Sequence, residues 1–548
     1  MKKIHTQAFY PLIALVILVF TLSESMFNVP PLGKLLNPFT GIVQNNRDRG
    51  LNTPQLTLRK MGLTDTVSIF FDQRKVPHIY ATNNTDLYFA QGYVTAVLRL
   101  WQMDFMSHAV AGRMSEIFPG GYLEYDRNQR RIGMLEAAKA SLSAIENDPE
   151  TLRTLTAYTQ GVNAYISQLD YKEIPLEYKL MDYRPEKWTN LKSVLLMKYM
   201  AGTLSGYEED FSMSWMMLAL GEERFNKFYP DFTSRISPMD GSTPAVAPTT
   251  TAYIHQPAYL RFSFFASKSV LPQNTYNPKL GSNSWVVSGK KTSSGHPILC
   301  ADPHLNLSLP AIWLEMQLSS PDMNVYGVSI PGTPAVIIGF NEHIAWGLTN
   351  GADDAKDWYR LKVSNDYKKY EMDGQWKELT YMVDTIKRKG QTDFYDTVYH
   401  TVHGPVPYTK DFSFGRPELL NSALRWELHK PSNEFLTFIQ LNRAKNYSEY
   451  RTAISHYASP VQNFTFACKD NTIAVNHQGR LPVKNAGQGK FVQDGTQSVQ
   501  LYTQYIPNDS LPAVLNPACN YVVSANQHPT DASYHWYYNG YFSENRAN

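Results

Sequence analysis

The chain has 548 residues, with 51 lysines and arginines against 49 aspartates and glutamates, for a formal net charge of +2. That balance argues against a nucleic-acid binder, which carries a basic excess or stripe. The 43% hydrophobic and 13% aromatic residues exclude a disordered chain and supply a large packed core. The length rules out a single small domain and admits several units or two large interlocked ones. Three cysteines, Cys300, Cys468 and Cys519, are too few and too scattered for a disulfide framework, and no Cys/His spacing suits a structural zinc.

Met1-Lys2-Lys3 followed by the apolar run 8–22, interrupted by Pro11, has the basic and apolar regions of an export signal. The run falls short of the roughly 20 residues of a spanning helix, yet no small-residue cleavage site follows it. Residues 1–25 therefore read as either a cleaved signal peptide or a retained membrane anchor, and the protein as periplasmic or anchored facing the periplasm. After a short strand at 67–71, apolar residues at Leu87, Ala90, Val94, Val97, Leu98, Trp101 and Phe105 mark an amphipathic helix within 85–118. Further helices are expected at 149–170 and 190–220, so that 40–236 is mainly helical. Residues 237–281 are low in charge and rich in Pro, Thr, Ala and Asn, the texture of a linker. Beyond it come short β-type runs at 284–288, 297–301, 325–330, 335–340 and 344–349. They lie too close together for crossover helices, and they predict antiparallel sheets and an α+β class.

Several catalytic signatures are absent, among them G-x-S-x-G, H-E-x-x-H and G-x-G-x-x-G. Gly289-Lys290-Lys291-Thr292 lacks the first glycine and the hydroxyl of a phosphate loop and reads as a turn. Leu280-Gly281-Ser282-Asn283-Ser284-Trp285 places a serine after a glycine where the linker meets the first strand. A serine hydroxyl needs a base, and cutting the chain before it frees an α-amine with a pKa near 8, suited to that task. Read alone, the signal is weak, since a Gly-Ser pair in a loop is in most cases a plain turn.

The chain as a whole resembles the penicillin acylases, a family of N-terminal-nucleophile hydrolases. In the helical part the resemblance rests on Val76-Pro77-His78-Ile79-Tyr80-Ala81, Phe89-Ala90-Gln91-Gly92-Tyr93, Arg99-Leu100-Trp101-Gln102-Met103 and Gly112-Arg113-Met114-Ser115-Glu116. In the β-rich part it rests on Gly281-Ser282-Asn283, Asp302-Pro303-His304-Leu305, Gly339-Phe340-Asn341, Ala345-Trp346-Gly347-Leu348-Thr349-Asn350, His403-Gly404-Pro405, Pro460-Val461-Gln462-Asn463 and Ser524-Ala525-Asn526, in the family's order.

The resemblance implies an αββα sandwich and autocatalytic cleavage between Gly281 and Ser282, with 237–281 as spacer and the two chains staying associated. It further implies hydrolysis of a small-molecule N-acyl substrate through an acyl-serine. Ser282 would be nucleophile and base, and Asn350 (backbone N–H) with Asn526 (side chain) would form the oxyanion hole. His304 would orient, and Arg546 would support Asn526. Met200, Leu204, Leu305 and Ile338 would line the acyl pocket, aliphatic where penicillin G types are aromatic. Asp210, Asp354, Asp357 and the Lys356 carbonyl would hold Ca²⁺, with Tyr537 standing where a further acid is expected. The region 282–548 looks truncated beside the family's second chain. Two alternatives stand beside penicillin-type hydrolysis: an acyl-homoserine-lactone acylase, and an uncut, inactive, membrane-anchored binding homologue.

Overall fold

The computed structural model describes residues 2–24, 31–39, 41, 45, 55–59, 61–231, 238–239, 281–485, 487–536, 539–542 and 546. Of the expected spacer only Pro238, Met239 and Gly281 are among them, and Tyr537 lies outside them. The N-terminal helix Lys2–Ser23 contains Pro11 and exposes Phe9, Leu12, Val16 and Phe20. Among the described residues no helix is long and apolar enough to cross a membrane.

The helical region holds α1 (Asn84–Val110), α2 (Pro149–Ile166), α3 (Asn190–Ser205) and α4 (Asp210–Leu220). Helix α1 starts where the Asn83 side chain accepts the Asp86 N–H, and α2 where Asp148 accepts that of Thr151; each satisfies an otherwise orphaned first-turn donor. The single helix expected at 190–220 is two. Gly206 caps α3, and Glu208 in the break is buried against Lys356 and Arg416, a tertiary pairing that outweighs helix periodicity.

The remainder is built on strands β1 (Gln55–Leu58), β2 (Val67–Phe71), β3 (Pro77–Tyr80), β4 (Gly281–Val287), β5 (Ile298–His304), β6 (Leu314–Ser320), β7 (Met323–Ser329), β8 (Ile338–Asn341), β9 (Ile344–Asn350), β10 (Lys356–Arg360), β11 (Gln462–Cys468), β12 (Ile473–Gln478), β13 (Ala513–Leu515) and β14 (Tyr521–Ser524). Ten of these form one sheet in the order β1-β2-β3-β6-β7-β8-β9-β11-β12-β13, antiparallel except at β3–β6. A second sheet, β14-β4-β5, lies against β9, β11 and β12. Helix α1 packs on β2, β3 and β6 of the large sheet, α2 and α3 pack against α1, and the core joins Leu87, Val94, Tyr158 and Leu196 to Met316, Leu318, Val325 and Trp346. The α+β class with mainly antiparallel sheets is as expected. The run 335–340 is strand only from Ile338, because Ala335 has φ +74° and turns the chain.

Family-type motifs here do structural work. Gln91 on α1 is fully buried; its amide donates to the Ala335 carbonyl (3.3 Å) and accepts the Ala335 N–H (3.0 Å), bolting helix to sheet. Trp346 donates to the Ile337 carbonyl at 2.8 Å.

Burial also leaves a pH signature. His403 and His528 are buried, and desolvation lowers their pKa to about 4 and about 3 respectively. A base whose folded pKa lies below its unfolded value of about 6.5 contributes stability that is present above that pH and lost as pH falls toward the folded pKa. Each is expected to cost about 2 kcal/mol between pH 6.5 and 5. Urea midpoints at pH 7.5 and 5 check this, the lower midpoint being expected at pH 5.

Candidate active site

Ser282 is the second residue of β4, where the small sheet faces the large one. It is 6% exposed, and its backbone N–H donates to Asn526 Oδ1 at 2.6 Å. The same oxygen accepts from Arg546 Nη1 at 2.6 Å. Two donors on one side fix the amide's orientation, so Asn526 Nδ2 faces the other way, onto the Asn350 carbonyl at 2.8 Å. Asn526 sits just past β14 at φ +65°, a left-handed conformation that Asn tolerates better than most residues. Arg546 also donates to Asn283 Oδ1 (2.9 Å) and the Ser282 carbonyl (3.3 Å). A Cβ on Gly281 would overlap the Arg546 guanidinium and crowd Asn526 Oδ1, so a larger residue before Ser282 would displace Arg546.

Asn350 ends β9 opposite Gln462 of β11. The next ladder bond runs from the Gly351 N–H to the Val461 carbonyl, so by the alternation of antiparallel pairs Asn350 turns its own N–H away from β11, the side on which Asn526 approaches. The Ser282 backbone, the Asn526 amide and the edge of Asn350 thus meet at one place. His304, opposite Gly281 in the β4–β5 register, is half-exposed. Its Nε2 bonds Asp302 (2.7 Å) and its Nδ1 faces Arg546 Nη2 at 3.5 Å, so the ring is tied to the rim.

Beside Ser282 opens a cavity of about 90 Å³ lined by all four expected pocket residues, Met200 and Leu204 from α3, Leu305 after β5 and Ile338 of β8. The aliphatic expectation needs correction, because Trp313, Phe435, Phe438 and Tyr457 share the wall. Phe435 and Phe438 stand at i and i+3 of the helix Glu434–Leu441, whose docking on the core brings distant sequence to the pocket.

Sequence reasoning also missed a buried polar seam beneath the site. Asp353 accepts from His477 (Nε2, 3.0 Å), whose Nδ1 bonds Asn463 Oδ1 (2.6 Å). Asn463 Nδ2 in turn reaches Ser524 Oγ (3.1 Å) and Thr349 Oγ1 (3.2 Å). Asn463 closes the Gln-Asn motif, but nothing local marks His477 or Asp353 as its partners.

The acidic residues expected to hold calcium do lie together, yet a lysine stands among them. Asp210 Oδ2 accepts the Trp358 N–H (3.1 Å), while Asp354 and Asp357 flank the Lys484 ammonium. Lys356, expected to offer its carbonyl, places its ammonium on Glu208 at 2.6 Å. Burial, with added repulsion from Asp357, lifts the Asp354 carboxyl to about 7 against the pull of Lys484, and burial with both neighbouring acids pushes Asp210 well up.

Against known proteins, the penicillin amidase family profile matches residues 66–548. The acyl-homoserine lactone acylase QuiP of Pseudomonas aeruginosa is 26% identical over 510 residues, covering 87% of this chain and 57% of the relative. The penicillin acylase 2 proenzyme of Pseudomonas sp. (strain SE83) is 25% identical, with 85% and 59% covered. Penicillin G acylase of Escherichia coli is 22% identical, with 84% and 59% covered. The chain therefore spans less than two thirds of the length of these curated relatives. A solved structure, the thermostable penicillin G acylase of Alcaligenes faecalis, is similar over 46% of each chain at a TM-score of 0.40 and 25% identity. The family match runs unbroken through the helical region, Ser282 and Asn526, and the chain belongs to the penicillin amidase family.

Proposed function

We propose that this protein is an exported amidohydrolase, matured by cleavage between Gly281 and Ser282, that removes an apolar acyl group from an N-acyl compound. The observation that carries the reading is Ser282 at the mouth of an apolar cavity, its nitrogen bonded to Asn526. In the uncut chain that nitrogen is an amide and no base. Once freed, it accepts the Oγ proton as Oγ attacks the acyl carbon, and the oxyanion meets Asn526 Nδ2 and the Asn350 N–H. Collapse breaks the C–N bond, the Ser282 ammonium protonates the leaving amine, and water then hydrolyses the ester by the same proton route. His304 and Arg546 act as positioning groups.

The cavity lining, aliphatic and aromatic together, favours an apolar acyl group. Acyl-homoserine lactones and acylated β-lactams are the two classes of N-acyl substrate the relatives' names suggest. The basic N-terminus and the exposed apolar helix after it support export, by a cleaved signal or a retained anchor. Intact mass with N-terminal sequencing tests maturation, a new terminus Ser-Asn-Ser-Trp being expected. N-acyl amides of graded chain length then test the pocket. Ile338→Phe, which fills part of the cavity, is expected to cut kcat/KM for the longest accepted chain by about 10-fold or more while sparing short chains.

A further inference from the structure

Lys484 is buried, with its side chain 2% exposed, and all three ammonium hydrogens have acceptors: Asp357 Oδ1 at 3.0 Å, the Asp354 carbonyl at 3.1 Å and Asp354 Oδ2 at 3.3 Å. The backbone of Gly489 closes the far side, where a Cβ would overlap both Asp354 Oδ2 and Lys484 Nζ and lie 2.8 Å from Asp357 Oδ1. Calcium requires about six to eight oxygens gathered within roughly 2.3–2.6 Å of one point. The remaining oxygens, Asp210 Oδ1, Asp354 Oδ1 and Asp357 Oδ2, have no hydrogen-bond partner, but no choice of one carboxylate oxygen from each of the three residues brings all three within 4.8 Å of one another. Among the described residues the one set of three ligand side chains within 4.8 Å of each other is Asp104, His108 and Glu186. There too a lysine stands between the carboxylates, Lys192 lying 2.6 Å from Asp104 and 3.0 Å from Glu186.

We propose that the Lys484 ammonium is the resident cation of the Asp210–Asp354–Asp357 site, tying Lys484 to β10 in place of a divalent ion, so that the fold is indifferent to calcium. Taking a partner from a buried ion pair strands the opposite charges, whereas taking both relieves them.

The full chain is melted in EGTA and across a calcium titration, alongside Lys484→Met and Lys484→Met/Asp357→Asn. The wild type is expected to hold one Tm throughout, Lys484→Met to melt several degrees lower, and the double variant to recover part of that loss. A saturable rise of the wild-type Tm with calcium would overturn the proposal, as would a Lys484→Met protein as stable as wild type. Should Lys484→Met not accumulate folded, the wild-type calcium titration decides alone. None of these readouts depends on cleavage at Ser282 or on hydrolysis.

Discussion

Ser282→Ala is expected to give one uncut chain with the wild-type melting temperature and no hydrolysis of any N-acyl substrate. The substitution removes only a hydroxyl. The Ser282 N–H still reaches Asn526, the β4–β5 pairing is untouched, and the small side chain leaves no cavity large enough to matter. What disappears is the attacking atom, and with it both the cut that would free the α-amine and the attack on substrate. Intact mass, near-ultraviolet circular dichroism and an acyl-substrate screen on the same preparation separate loss of chemistry from loss of fold. A Ser282→Ala chain still cut before residue 282 would remove the nucleophile role. Ser282→Cys refines the test, since a thiol attacks readily and its cleavage is expected to persist at an altered rate.

Asn526→Ala is expected to lower kcat by about 10²–10³-fold, the usual cost of removing one oxyanion donor. It also takes away the oxygen that Arg546 Nη1 and the Ser282 N–H share, so maturation slows as well. Comparing the rate of appearance of the Ser282 terminus with kcat per mature molecule distinguishes the two effects. Asn526→Asp sharpens the reading, because a carboxylate keeps the acceptor for Arg546 and Ser282 but cannot donate to an oxyanion. Cleaved yet slow is the expected outcome. A variant with unchanged kcat would show that Asn526 serves only to hold Arg546 and the Ser282 strand.

Arg546 gives the site a dependence on the distal end of the described chain. Its guanidinium touches Asn526, Asn283 and the Ser282 carbonyl, and it packs on Gly281. One side chain thus touches both sides of the Gly281–Ser282 bond, the proposed cleavage point. A guanidinium suits this task because its rigid fork of five donors holds several acceptors at fixed angles.

Local pattern carried the elements. The spacing Leu87, Ala90, Val94 and Val97 places α1, and β-type runs separated by turns place β4, β5, β7, β8 and β9, while β6 lies outside every run so identified. Ser282, Asn350, Asn526 and the four pocket residues were legible through the family resemblance, and Ser282, Asn350 and the pocket residues do line one cavity, with Asn526 bonded to Asn350 and Ser282 beside it. The tertiary structure alone decided the rest. Phe435 and Phe438 read as an ordinary apolar helix face until that helix docks beside Met200. Glu208 breaks an otherwise continuous helical pattern because its partners, Lys356 and Arg416, are far away in sequence. Lys484 looks like any loop lysine until the fold buries it between Asp354 and Asp357, where the family resemblance implied a metal. The physical reason is common to all three. Periodicity and motif order encode which face a residue presents, whereas the partner of a buried charge or the far wall of a cavity is set by long-range packing that no local window contains.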